Sequence, residues 1–191
     1  MEKIIDFIIP TFDRNKELIS MLSSLNAQTE DNWRATVISD GEKNPNTARI
    51  VESFNNPRII HKVLDKRYND WGHTPRDVGK QLSSSDYIIM TGDDNYYMPI
   101  LIAEINKVIS GHDADFIYWD MVHSHYDYSY FKCFPSMNRI DMGSFAFKSE
   151  LGKQIHLGNS YAADGLFVNE FKTKFPSANI VKIEKVLFVH N

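Results

Sequence analysis

Short apolar runs alternate with longer segments of helical period along the first two thirds of this chain, and that alternation limits its fold more than any other feature. Ile4-Ile5-Asp6-Phe7-Ile8-Ile9 reads as a strand closed by Pro10, after which Leu18, Ile19, Leu22 and Leu25 fall on one helical face before Gln28-Thr29. Trp33 to Ser39 is a second apolar run, stopped at Asp40-Gly41, a pair common in tight turns. Thr47 to Phe54 follows as a helix with Ile50, Val51 and Phe54 on one side, and Arg58 to Val63 as a third strand. A polar stretch from Asp65 to Pro75 leads to a helix over Arg76 to Leu82 and a strand over Tyr87 to Thr91. Beyond Pro99, the residues Leu101, Ile102, Ile105, Val108 and Ile109 make an amphipathic helix ending at Gly111, and Phe116 to Met121 is a further strand. Repeated strand, helix and strand units of this kind predict an α/β fold, a mostly parallel Rossmann-like sheet flanked by helices.

After Val122 the alternation fails. His123, His125, Tyr126, Tyr128, Tyr130, Phe131 and Phe134 crowd residues 123 to 143, as a hairpin packed on the sheet or as the wall of a site for a ring-shaped ligand, two readings that are compatible. A short segment around Phe145-Ala146-Phe147, a helix from Ala163 to Lys172 and a strand from Ile180 to Val189 make a short mixed C-terminal region. A chain of 191 residues, 42% hydrophobic, is expected to build one core and one domain. Its 21 basic and 25 acidic residues form no long single-sign run, which argues against a protein that works by neutralising nucleic-acid phosphates. The lone Cys133 excludes an internal disulfide and a cysteine-rich zinc site, and it fits a small, partly buried apolar residue in a reducing compartment. The first apolar run is too short and interrupted for a signal peptide or a membrane span. A cytoplasmic protein is therefore expected, with peripheral contact at the membrane left open through a partner or a lipid-linked substrate.

In an open parallel sheet, ligands bind beyond the carboxyl ends of the strands, where loops and helix N-termini converge. Asp13 follows the first strand, Asp40 the second, and Asp93-Asp94 the fourth. Taken singly, Asp13 and Asp40 fit an Asx-turn or a helix cap. The pair is different, because Asn95 alone would supply the turn and adjacent carboxylates repel unless a cation or donor groups offset them. Mg²⁺ or Mn²⁺ would do so with one or two protein oxygens, leaving the other positions to water and phosphate. The chain has neither GxGxxG nor GxxxxGK[ST], so nothing supports a dinucleotide dehydrogenase or a P-loop NTPase. A diphosphate here would depend on the metal and on a base such as Arg76.

Four segments in this order resemble the landmarks of the family 2 glycosyltransferases with the GT-A fold. They are Ile8-Ile9-Pro10-Thr11-Phe12-Asp13-Arg14, Ser23-Ser24-Leu25-Asn26-Ala27-Gln28-Thr29, Val37-Ile38-Ser39-Asp40-Gly41-Glu42 and Thr91-Gly92-Asp93-Asp94-Asn95. The family counterparts are P-T-Y-N-R, S-L-x-x-Q-T, D-D-G-S and the DxD-like metal motif. The resemblance covers residues 4 to about 110 well and the remainder loosely. It implies that Pro10, Thr11 and Phe12 line a nucleotide pocket, that Asp40 contacts the base, that Asp93 sits by the ribose or metal, and that Asp94 binds Mn²⁺ or Mg²⁺. Asp13 is a third carboxylate at this site, where the family more often has asparagine.

Arg76-Asp77-Val78-Gly79 resembles the family's R-N-x-G, whose arginine supports the diphosphate; Asp77 stands in place of the asparagine, and Ser39 in place of the first aspartate of D-D-G-S. Asp141-Met142-Gly143-Ser144-Phe145-Ala146-Phe147 resembles the segment flanking the acceptor site. Asp164 falls where the family carries its catalytic base, although Ala163 replaces the glutamate before it, and Asp164 fits equally the N-cap of the helix that follows. His190 resembles the C-terminal histidine that completes some GT-A metal sites, and it could as well be a frayed end.

The resemblance thus implies a nucleotide-sugar-binding part over residues 1–110 and an acceptor-side part over 111–191. The implied reaction is an inverting transfer from a nucleotide-diphosphate sugar, most often a UDP-sugar, to a carbohydrate or lipid-linked acceptor hydroxyl. Two alternatives stand beside it. One is a nucleotide-sugar-binding module without turnover; the other is a sugar-phosphate nucleotidyltransferase, which would be expected to show a glycine- and arginine-rich loop where this chain has Pro10 to Arg14.

Overall fold

The computed structural model describes residues 2–41 and 46–191, so Glu42 of the third motif lies outside the described residues. The elements run β1 (Ile5–Thr11), α1 (Asn15–Asn26), β2 (Trp33–Ser39), α2 (Asn46–Ser53), β3 (Ile59–Val63), α3 (His73–Leu82) and β4 (Tyr87–Met90). They continue as β5 (Tyr96–Tyr97), α4 (Leu101–Gly111), β6 (Phe116–His123), β7 (Ser129–Phe131), β8 (Phe145–Lys148), α5 (Ser149–Gly152), α6 (Ala163–Lys174) and β9 (Ile180–His190). Among the described residues they form one sheet in the order β3-β2-β1-β4-β8-β6-β9-β5, with β7 paired to β6. The β3-β2-β1-β4 half is parallel throughout. β8 then runs antiparallel to both β4 and β6, while β9 lies parallel to β6 and antiparallel to β5.

β1 is buried at every position because both faces of the sheet are covered. Ile5, Phe7 and Ile9 turn toward α1 and α4, where they meet Leu18, Leu22, Leu101 and Ile105. Ile8 turns the other way, into a cluster with Met90, Phe147, Phe167 and Phe171. On that second face α3 approaches the sheet closely: a Cβ added at Gly79 would lie 2.4 Å from Ile8 Cγ2.

The structure moves several sequence boundaries. Ile19 is 45% exposed and Met21 takes its place in the core, because a residue beside Leu18 is turned about 100° away from the buried stripe. β1 continues through Pro10 to Thr11 instead of stopping. In the parallel ladder the missing N–H of Pro10 would have faced the carbonyl of Thr91, just past the end of β4. Arg76 Nε donates to that carbonyl instead, at 3.1 Å. The helix α3 starts three residues before Arg76, from Gly72 in left-handed backbone. The aromatic segment is a hairpin of β6 and β7, and Cys133 is fully buried behind it, with its thiol pushed up to about 12 by burial. No helix among the described residues is long and apolar enough to cross a membrane.

Candidate active site

An open cleft of about 480 Å³ lies at the carboxyl ends of β1, β2 and β4, and it brings together Pro10, Thr11, Phe12, Asp40, Arg76, Asp93, Asp94 and His190. A larger hollow of about 730 Å³ lies at the opposite, amino-terminal edge. Several of its charges are already paired, Lys3 with Asp86 and Lys148 with Asp113 and Asp115, which leaves these little to offer a ligand. The chemistry is concentrated in the smaller cleft.

Asp93 is 4% exposed and accepts a hydrogen bond from the Thr11 hydroxyl at 2.7 Å. Burial raises its pKa to about 6, the adjacent Asp94 adds to the rise, and the Thr11 hydroxyl and Arg14 oppose it. Arg14 Nη1 bridges the pair, at 3.3 Å from Asp93 Oδ1 and 2.8 Å from Asp94 Oδ2. The sequence named Arg14 only as the end of a motif; its role as counter-ion appears once β1 and β4 are neighbours. Asp13 is exposed with φ of 57°, a left-handed conformation that Asp and Asn tolerate, and it is not among the residues lining the cleft. It stands in the turn that delivers Arg14 to the cleft.

Asp40 is buried and clamps the loop between β3 and α3, accepting the backbone N–H of Tyr68 at 2.8 Å and of Asn69 at 2.9 Å. The same loop lays the Arg67 guanidinium over the Phe12 ring, 3.6 Å from its centroid. Arg76 ties the loop from below, donating from Nη1 to the Trp71 carbonyl at 2.8 Å. Burial lowers the pKa of Arg76, while Asp141, Asp93, Asp94 and Asp70 hold it up, so the guanidinium keeps its charge in an acidic neighbourhood. Asp77, the departure from R-N-x-G, has a structural reason. It pairs at 2.6 Å with the fully buried Lys80 and accepts the Leu157 N–H at 3.0 Å.

From the other half of the sheet, β9 carries His190 to the cleft, with Nε2 3.7 Å from Asp141 Oδ2 and Nδ1 3.3 Å from Ser124 Oγ. It is not frayed: it pairs with His123 in the ladder and stacks on that ring at 4.0 Å. Burial and the neighbouring His190 hold His123 down at about 4, so it is a neutral ring. Asp164 is the second residue of α6, whose N-cap is Ala162, which removes the N-cap reading. Its Oδ1 accepts the Gly165 N–H at 2.7 Å. Burial raises the Asp164 pKa to about 6, with Asp141 adding to the rise and Arg76 opposing it, so these groups share one electrostatic neighbourhood.

Among the described residues no three His, Cys, Asp or Glu side chains converge on one point. A divalent ion would thus find one or two protein ligands here and complete its shell with phosphate and water, which is the habit of Mg²⁺ and Mn²⁺. The half-buried carboxylate of Asp94, shared with Arg14, and His190 on the same cleft are side chains that such an ion could use.

A curled, mostly parallel sheet with paired aspartates at its strand ends is the GT-A architecture. The profile of the family described as glycosyl transferase family 2 matches residues 6–156, and the chain belongs to that family. A Haemophilus influenzae protein named as an uncharacterized glycosyltransferase is 27% identical over 118 residues, 60% of this chain and 38% of its own length. TarS residues 1–349 from S. aureus, solved in complex with UDP-GlcNAc, superimposes with a TM-score of 0.82 at 18% identity, covering 97% of this chain and 58% of that one. The mannosyltransferase PcManGT from Pyrobaculum calidifontis, in complex with GDP-Man and Mn²⁺, superimposes with a TM-score of 0.77 at 11% identity, covering 100% of this chain and 57% of that one. The chain therefore spans less than two thirds of the length of each of these proteins.

Proposed function

We propose that the chain is the donor-binding and catalytic unit of a glycosyltransferase that moves a sugar, with inversion, from a nucleotide-diphosphate sugar to an acceptor hydroxyl. The observation that carries this is the buried Asp93, fixed by Thr11 and set beside Asp94 at the mouth of a GT-A cleft. Residues 1–110 form the donor half and 111–191 the acceptor half. A UDP-sugar is the donor class favoured by the UDP-GlcNAc complex of TarS, and the acceptor is a carbohydrate or a lipid-linked carbohydrate, met in the cytoplasm or at a membrane surface.

Phe12 and Asp40 receive the nucleoside, and Arg76 offsets the diphosphate charge. Asp94 and His190 would hold Mn²⁺ or Mg²⁺, which when bound assists departure of the nucleoside diphosphate as a Lewis acid. Asp164 takes the proton of the acceptor hydroxyl. Its raised pKa suits a general base near neutral pH, and the Gly165 N–H orients Oδ1 while leaving Oδ2 for the acceptor. The test is donor turnover: wild-type protein hydrolyses UDP-sugars slowly in Mn²⁺, and Asp164→Asn loses that turnover while still binding UDP. Binding without any turnover in the wild type would favour the non-catalytic sugar-nucleotide module, for which Ala163 in place of the family's glutamate is the supporting feature.

A further inference from the structure

The three tryptophans of this chain divide by exposure: Trp33 is 1% exposed and Trp119 0%, whereas Trp71 is 61% exposed on the lining of the cleft. Trp71 also has a φ of 57°, a left-handed backbone that a bulky side chain adopts only when its surroundings impose it. The surroundings do so from several sides. Its carbonyl accepts from Arg76 Nη1 at 2.8 Å, and the N–H groups of Tyr68 and Asn69 just before it are held by Asp40. The next residue, Gly72, is pressed on Pro10, where an added Cβ would lie 2.8 Å from Pro10 Cβ. The backbone is thus fixed while the indole is left facing solvent.

The position of that indole matters. Arg76, which holds Trp71, belongs to the diphosphate side of the cleft. On the other side, the ring of His73 lies 6.0 Å from the indole, and His73 Nε2 is 3.0 Å from the carbonyl of Ser160, in the segment that leads into Asp164. Trp71 therefore lines the cleft beside Arg76, and through His73 it adjoins the segment that leads into Asp164. A nucleobase has its own platform in Phe12 with Arg67. What passes between diphosphate and base in this reaction is a sugar ring, whose axial C–H face is apolar and flat enough to lie on an indole.

We propose that Trp71 is the stacking face for a pyranose ring at the reaction centre. This rests on the reading of the cleft as a nucleotide-sugar site, and it adds the residue that grips the sugar. The ring can come from the donor or from the acceptor, and the shared chemistry is the C–H face.

Acrylamide quenching of tryptophan fluorescence tests it directly, because Trp33 and Trp119 are already shielded. The probes are UDP with Mn²⁺, UDP-GlcNAc, UDP-glucose and UDP-galactose with Mn²⁺, and a panel of methyl glycosides added to the UDP and Mn²⁺ complex. UDP should leave Trp71 quenchable, and a sugar-bearing ligand should lower the quenching constant at least about two-fold. Protection by a UDP-sugar assigns the donor ring, and protection by a methyl glycoside assigns the acceptor ring. Equal protection by UDP alone overturns the proposal, since the indole would then serve the nucleotide. UDP binding detected by calorimetry with no protection by any sugar overturns it while sparing the cleft, whereas no UDP binding at all removes both readings.

Trp71→Gly provides the second readout. Glycine accepts this backbone freely, so its melting temperature should rise by about 2–4 °C while affinity for the protecting sugar falls about tenfold. A fall in melting temperature with sugar affinity unchanged would make Trp71 a structural residue and refute the proposal.

Discussion

Asp93→Asn should stabilise the unliganded protein at alkaline pH, at the expense of its ligand site. Asp93 is 4% exposed, and its pKa is raised from 3.8 to about 6, with burial the largest cause. A carboxyl raised in the folded state contributes its full share of stability below pH 3.8 and loses it as the pH climbs through about 6. A rise of roughly two pH units corresponds to about 3 kcal/mol lost by pH 8. Asparagine keeps the shape and an acceptor for the Thr11 hydroxyl but cannot ionise, so it avoids that loss. Urea denaturation of both proteins at pH 8 should therefore show the variant more stable by about 3 kcal/mol, and at pH 4 the gap should nearly close. Affinity for UDP with Mn²⁺ should fall in the same variant, a trade between stability and function. A variant less stable than wild type at pH 8, or a gap of equal size at both pH values, would refute the idea that the site stores an ionised, desolvated carboxylate.

Other outcomes follow from neighbouring contacts. Arg14→Gln removes the cation that bridges Asp93 and Asp94, so the ligand-free protein should bind Mn²⁺ several-fold more tightly by electron paramagnetic resonance of the free ion; weaker binding would mean that Arg14 holds the pair in shape for the metal. Asp77→Asn restores the family's residue but leaves the buried Lys80 without its counter-charge, and should cost about 3–5 kcal/mol in denaturant unfolding, whereas a loss near zero would mean that the lysine is buried neutral. If Asp164 is the base, kcat/KM should fall on the acid side of about pH 6, because only the ionised carboxylate accepts the proton. A profile flat from pH 5 to pH 8 would remove Asp164 from that step.

The parallel half of the fold was legible because helices on both faces make β1, β2 and β4 predominantly apolar and buried. β5 was not, since Tyr96–Tyr97 is a strand only by pairing with Val189 and Phe188 from the far end of the chain. Local pattern also misjudged Ile19, where hydrophobic type and helical spacing alone could not choose it or Met21 for the core. At the site, the carboxylates stood out because their chemistry is carried by adjacent residues. The contacts that organise them did not: Arg14 reaches Asp94 across 80 positions, and Asp40 reaches the Asn69 amide across 29. Trp71 drew no notice in the sequence because its conformation and exposure, not its residue type, distinguish it.

The central claim is that the cleft at the ends of β1 and β4 binds a nucleoside diphosphate through a metal held by Asp94. Calorimetric titration of UDP into wild-type protein with Mn²⁺, with a chelator, and into Asp94→Ala with Mn²⁺ addresses it most directly. The account predicts binding in the first case and its loss in the other two, with the variant's melting temperature preserved. UDP affinity indifferent to both chelator and substitution would contradict it.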